Sequence, residues 1–343
     1  MDAKTFAAFL RVSQYCGTCF ANPLNLFLIY LIITKSSKRV GNYKYLMIYV
    51  SVYEIVFSVV AYITEPFIHS FTTRVIVIVK IRESSFDRST CLLLDCLMCA
   101  MYGTSMIVFS VHFLYRYASL SPKYRKLFEG WKLFAWMMVP QVIGFLWMMM
   151  YYFVFAPTPE FTEFIRNTLL EELDLNVDDL VYVGPFYFPE DKNGIHNLDW
   201  AAFWVMTVVW IMVGCSALIG FVCGYLCYKK IASGLAMSTN SQNARALQKQ
   251  LFNALVMQSA IPFILMYLPT TIVHFCTFIQ QNIGSASRFI SYSVAVYPAV
   301  DPLPTLLIVS NYRKATKNLL LKCWCCVSGK KRAEACSVRP PTV

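Results

Sequence analysis

Seven stretches of this chain are apolar for about 20 residues or more, and that leaves few folds open. A helix rises about 1.5 Å per residue, so about 20 residues carry it through about 30 Å of hydrocarbon. The pattern predicts an all-α integral membrane protein with spans over 12–34, 45–68, 91–115, 133–155, 200–228, 251–279 and 289–309. One further apolar run, 75–79, lies between Arg74 and Lys80 and is too short to span. Its alternating Val and Ile predict a strand or hairpin in an external loop. Composition fits this class: 57% of residues are hydrophobic and 14% charged, against about a quarter charged in soluble domains. No internal repeat, low-complexity linker or soluble domain breaks the pattern. The N-terminal segment lacks the charge and cleavage features of a signal peptide, so the first span is expected to act as the insertion signal.

Charge sets the expected orientation. The segments after spans 1, 3, 5 and 7 hold 21 Lys and Arg, whereas the N-terminus and the segments after spans 2, 4 and 6 hold 9. Basic residues near span ends stay cytoplasmic, which places the N-terminus outside and the tail inside. The division is then a short external N-terminus over 1–11, a membrane domain over 12–309 with a long acidic external loop over 156–199, and a basic cytoplasmic tail over 310–343. The net charge of +11 is dispersed among these segments, so it reads as topology and not as a nucleic-acid footprint. Ten of the nineteen acidic residues fall within 160–199, beside only Arg166 and Lys192. That loop is either a solvated face or a negative lid over an outer cavity. No glycosylation sequon bears on orientation.

Ionisable groups inside spans are costly and mark candidate functional positions. Glu54 and Asp301 each lie about 15 Å from the cytoplasmic side by helical rise, near the midplane, and Asn25 sits at a similar depth. Ser51 and Ser58 share a helix face with Glu54. Asn25, Ser51, Glu54 and Asp301 therefore form a candidate midplane polar cluster, acting either as a switch that holds a proton, cation or water or as a static staple. Glu65 and Asp95 belong at the outer mouth, facing either ligand or interfacial water. Pro262 and Pro269 in span 6, and Pro298, Pro302 and Pro304 in span 7, are expected to kink their helices.

The thirteen cysteines give no zinc spacing, the four histidines are scattered, and no cofactor or metal is expected. Cys16, Cys19, Cys91, Cys96 and Cys276 lie in outer halves of spans and their pairing stays open. Residues 311–322 read as a short basic amphipathic helix on the membrane surface. Cys323, Cys325 and Cys326 follow it as palmitoylation candidates.

Several segments carry a resemblance. They are 35–40 followed by Gly41-Asn42-Tyr43-Lys44-Tyr45-Leu46-Met47, then His112-Phe113-Leu114-Tyr115-Arg116-Tyr117. Two more are Leu247-Gln248-Lys249-Gln250-Leu251-Phe252 running on to Gln258 and Pro262, and Tyr297-Pro298 with Asp301-Pro302-Leu303-Pro304-Thr305. In their joint order the chain resembles the nematode seven-transmembrane chemoreceptors of the serpentine receptor class r (Str) type. The resemblance implies a seven-helix bundle of rhodopsin-like receptor topology in the plasma membrane of sensory cilia. It also implies a small odorant or pheromone as ligand and a heterotrimeric G protein as partner. Tyr115, Arg116 and Tyr117 occupy the place of the acid-Arg-Tyr signature of rhodopsin-like receptors, with the acid missing. With Lys249 they are the candidate G-protein-coupling residues. Asp301-Pro302 stands where that group has its Asn/Asp-Pro, with Thr305 in place of the usual tyrosine. The bridge that usually ties the long outer loop to helix 3 cannot form, because that loop has no cysteine.

The function expected is ligand binding between helices 3, 5, 6 and 7 in a pocket of Phe, Tyr, Met and Trp, which shifts the bundle toward a G-protein-binding arrangement. The alternative is a ligand-gated channel or secondary transporter with the midplane carboxylates as coupling site. An odd span count, no repeats and an external N-terminus argue against it. No catalytic constellation is present, and self-association or pairing with another chain stays open.

Overall fold

The computed structural model describes residues 3–71, 74–81, 86–189, 197–233, 242–281 and 287–327. Its helices are α1 (Ala3–Lys35), α2 (Tyr43–Thr64), α3 (Arg88–Ser119), the short α4 (Pro122–Arg125), α5 (Trp131–Val154), α6 (Pro159–Leu173), α7 (Trp200–Ala232), α8 (Gln242–Pro262), α9 (Leu268–Phe278), α10 (Arg288–Val300), α11 (Pro302–Ile308) and α12 (Ser310–Val327). Strands β1 (Phe67–Phe71), β2 (Arg74–Lys80) and β3 (Leu180–Val183) form one antiparallel sheet in that order.

Six helical units among the described residues are long and apolar enough to cross a membrane: α1, α2, α3, α5, α7 and the joined α8–α9. The seventh span is α10 with α11, Arg288 to Ile308, after which the chain turns by 102° into α12. Such a turn carries α12 out of the span direction and suits a helix lying on the membrane surface. The side chains of Cys323, Cys325 and Cys326 lie outside the described residues, as do His196 and Lys192. Cys16, Cys19, Cys91, Cys96 and Cys276 are all free thiols.

Several helices outrun the apolar run that announces them. α1 begins at Ala3, and Leu10 in its early turns packs with Phe67, Ile76 and Phe161 of the sheet end. α8 begins at Gln242, so α8 and α9 together reach about 55 Å at about 1.5 Å per residue. α2 ends earlier than the hydropathy suggests. Pro66 discourages helix at the residue before it, and Glu65 closes α2 in the left-handed region at φ 41°. Glu65 is therefore a cap and not a residue inside the span.

The acidic loop is structured. Thr158 caps α6 by accepting from the Phe161 amide, and Phe161, Ile165, Leu169 and Leu173 are buried against the sheet. Glu160, Glu163 and Glu171 of α6 are exposed, and Asp178, held below the usual carboxylate range by its hydrogen bonds with Arg166, lies 2.9 Å from that guanidinium. Arg74 of β2 lies 3.5 Å from the Phe164 ring centre and 4.1 Å from that of Phe186, and burial pushes its guanidinium down to about 10. The hairpin expected at 75–79 is present as β1–β2, in register Phe67↔Ile78 through Phe71↔Arg74.

α3 runs through the middle of the bundle against α2, α5, α7 and α8, while α1 packs on α2 and α10. α1 and α10 approach closely at Gly17, where an added Cβ would sit 2.1 Å from the Ala295 carbonyl oxygen. The sheet covers one end of the bundle and α12 lies at the other; these are the sheet end and the tail end below.

Candidate functional site

Beneath the sheet, five spans separate around a cavity of about 90 Å³. Its walls come from α3 (Met98, Cys99, Tyr102), α5 (Trp147, Tyr151), α7 (Met206, Val209, Trp210), α9 (Thr270, His274) and α10 (Ile290, Val294). Ile68, Val75, Val77 and residues 183–185 form the roof. The lining is mostly apolar with a few polar groups, the usual make-up of a small-molecule site. It contains the expected Tyr, Met and Trp but no Phe, and α5 and the sheet contribute beside the four helices expected. Gly103 gives the Trp147 ring its place, since a Cβ there would lie 2.4 Å from it.

The roof is fastened to span 7. Ser291 of α10 and Ser287, the residue just before that helix, accept hydrogen bonds from the amides of Ile68 and Ser70 at 2.8 and 3.0 Å. One helical turn of four residues rises about 6 Å, and two strand residues about 6.6 Å, so the two ladders match. The floor is Tyr267. Its hydroxyl donates to the Tyr102 carbonyl at 2.6 Å, accepts from the Met106 amide at 2.9 Å and meets Ser105 Oγ at 2.7 Å. Tyr267 ends a π-helical turn, Phe263–Tyr267, lying between Pro262 and Pro269.

Below the floor, polar groups continue through the core. The Tyr297 hydroxyl donates to Glu54, whose other oxygen is buried without a partner among the described residues. Gln258 of α8 donates to the Asp301 carboxylate at 3.0 Å and to its carbonyl at 3.1 Å, and accepts from Thr305 at 2.8 Å. Asn25 donates to the carbonyls of Ala21 (3.1 Å) and Pro298 (3.2 Å). The second contact has a covalent cause: Pro302, four residues after Pro298, has no N–H to give that carbonyl. Asn25 and Asp301 thus sit in one layer with Glu54, yet each bonds to other groups. Ser51 is buried there with no side-chain hydrogen bond among the described residues, and Ser58 donates to Asn22 at 2.6 Å.

At the tail end Arg116 is 3% exposed. Its Nη1 donates to Gln248 Oε1 on α8 at 2.6 Å, and its guanidinium lies 3.8 Å from the centre of the Tyr43 ring. Tyr115 stacks on Tyr43 at 5.6 Å, Tyr117 is tilted against Tyr124 at 5.9 Å, and Lys249 is exposed. Glu65 pairs with Arg11 Nε at 3.1 Å in a second, polar pocket with Lys80 and Asp174. Asp95 is fully buried one turn beyond Cys99, with neither oxygen bonded among the described residues, and does not reach interfacial water. Neither Glu65 nor Asp95 lines the cavity beneath the sheet.

Residues 10–317 match the model of the serpentine type 7TM GPCR chemoreceptor Str family. The chain belongs to this family. It is 33% identical to the G-protein coupled receptor str-217 of Caenorhabditis elegans, covering 85% of this chain and 84% of that one. It is 30% identical to Serpentine receptor class r-10 of the same organism, over 93% of each chain. Squid rhodopsin superposes with a TM-score of 0.65 at 11% identity, covering 100% of this chain and 94% of that one, a likeness of fold. This Str chemoreceptor is therefore a G-protein-coupled receptor and not an enzyme, a multi-pass plasma membrane protein, and the channel or transporter alternative is not favoured.

Sequence reasoning gave no site role to Tyr267, nor to Tyr43, Gln248, Gln258 and Tyr297, which it quoted only for the resemblance. Gln250 and Gln258 were readable as a pair: eight residues apart, they lie on one helix face, and both bond span 7 and its exit, Gln250 through the Ser310 amide at 2.9 Å.

Proposed function

We propose that the receptor binds a small molecule in the cavity beneath the sheet and passes the event to a heterotrimeric G protein at the tail end, where Arg116 is the coupling residue. The single observation carrying this is that one continuous rod, α8 through α9, touches both places. Tyr267, Thr270 and His274 of that rod line the cavity, and Gln248 holds Arg116 at its far end. A ligand that fits one setting of α9 better shifts the population toward it, and the same displacement frees Arg116 from Gln248. Arg116 then offers its planar donors to an inserted partner segment. Tyr115, Tyr117 and Lys249 flank the cleft, and the cluster of Asn25, Ser51, Glu54 and Asp301 sets the cost of moving span 6 against span 7.

The sheet end faces outward and the tail end faces the cytoplasm, in keeping with the basic asymmetry of the loops. By family resemblance the membrane is that of the sensory cilium. Palmitate on Cys323, Cys325 and Cys326 would hold α12 at the surface, and serine at all three should abolish palmitate incorporation.

Nucleotide exchange by Arg116→Lys at matched surface levels tests the core of this reading. The variant keeps the charge and loses the fork, so activation should fall about tenfold or more while ligand binding persists. Near-normal exchange would leave Arg116 as a head-group anchor and sink its coupling role.

A further inference from the structure

The cavity's polar groups are mostly spent on the protein itself. Tyr102 Oη and Thr270 Oγ1 lie 2.5 Å apart and bond to each other. Tyr267 is committed to α3, and Ser291 accepts from the Ile68 amide. His274 differs. Its Nδ1 lies 2.9 Å from the Thr270 carbonyl oxygen, four residues earlier on the same helix. A carbonyl only accepts, so the proton of the neutral ring resides on Nδ1 and Nε2 is left as a lone pair. Nε2 has no hydrogen-bond partner among the described residues, and the ring lines the cavity edge-on to Trp210 at 5.6 Å.

On the α5 wall, Trp147 Nε1 has no partner at hydrogen-bonding geometry among the described residues, and the Tyr151 phenol lies beside it. An indole N–H only donates and a phenol can donate, so this wall serves any ligand oxygen, whether alcohol, ketone or ether. His274 Nε2 asks for something narrower, a ligand that brings a proton.

We propose that the cavity selects a small, mainly apolar molecule carrying a hydroxyl group, with the hydroxyl donating to His274 Nε2 and the apolar body lying against Val209, Val294 and the sheet. The proposal rests on the cavity being the ligand site. It follows from the cost asymmetry of hydrogen bonding: a ketone or ether of the same shape leaves Nε2 dry and unpaired, whereas an alcohol satisfies it.

The test uses the full-length receptor in lipid nanodiscs with cyclohexanol, cyclohexanone and methoxycyclohexane as matched probes, read by calorimetry and by ligand-induced thermal shift. The parent should bind the alcohol about tenfold more tightly than the ketone or the ether. His274→Phe should erase that preference, and His274→Gln, whose amide oxygen still accepts, should keep a good part of it. Equal binding of the three probes by the parent, no binding of any of them, or an unchanged preference in His274→Phe would each overturn the assignment. A cavity-filling Val294→Trp separates the two levels of the argument. If it leaves probe binding intact, the cavity is not the ligand site; if it removes binding while the parent ignores the hydroxyl, the site stands and the role of His274 falls.

Discussion

Spans 6 and 7 are both interrupted by proline, and they are repaired in opposite ways. In span 6 no side chain of a neighbouring helix bonds the backbone at the break among the described residues; the chain absorbs it by widening into the π-turn Phe263–Tyr267, where the Leu268 amide reaches the Phe263 carbonyl five residues back. In span 7 the repair comes from neighbours. Asn25 of α1 bonds the carbonyl orphaned by Pro302, and Gln258 of α8 bonds the carbonyl and carboxylate of Asp301. A break mended from within leaves a helix able to shift as a rod, while one mended by other helices pins it to them. Proline content alone therefore does not identify the moving element; the origin of the replacement hydrogen bonds does.

The comparison breaks most visibly at the tail end. If span 6 is the free rod, cutting its tail-end tie to span 3 with Gln248→Leu should raise basal nucleotide exchange about tenfold, since a hydrogen bond to a charged group contributes about 1.5–3 kcal/mol. An unchanged basal rate at equal surface expression would mean that this contact does not hold span 6. Pinning predicts a different outcome for span 7. Asn25→Leu should cost about 1–2 kcal/mol of stability, read as a lower thermal midpoint in detergent, without a comparable rise in basal exchange. If that variant instead signals strongly and stays stable, span 7 is the switch and the contrast is reversed.

A double-mutant cycle sharpens the contrast further. Pro302→Ala returns the missing amide to span 7, so Asn25→Leu should cost about 1 kcal/mol less in that background than in the parent. Additive losses would show that Asn25 is not there to serve the orphaned carbonyl. The smallest effect should come from Ser291→Ala at the roof, about 0.5–1 kcal/mol, because the Ile68 amide it leaves lies at the edge of the cavity where water can replace the hydroxyl. A loss above about 2 kcal/mol would mean that the sheet depends on span 7 for its folding.

Much of this architecture was legible because the bilayer enforces it. The spans announce themselves through length and hydropathy, and the hairpin at Val75–Val79 through alternation between two basic residues. α6 was missed although its signal is present: Phe161, Ile165, Leu169 and Leu173 recur every fourth residue behind a Thr-Pro start, inside a segment that its charge made look like plain loop. The π-turn is another matter. Pro262 and Pro269 announce an interruption, but whether it becomes a kink or a wider turn depends on what Tyr267 reaches on α3, and no local pattern encodes that. A search keyed to charge found Glu54 and Asp301 but not Tyr297, Gln258 or Gln248, since neutral tyrosines and amides cost less in a span. The depth argument put Asn25, Glu54 and Asp301 at one level without telling which of them touch.

The two serines that hold the roof have a consequence for how the receptor is made. The strand they fasten is synthesised right after the second span, whereas Ser287 and Ser291 leave the ribosome only with the last. Until then β1 presents amides with no acceptor along its outer edge, the kind of edge that recruits other strands. Chains that stall before residue 291, or that fail to insert their final span, should therefore be held back by chaperones in the endoplasmic reticulum, while completed chains close the edge themselves and move on.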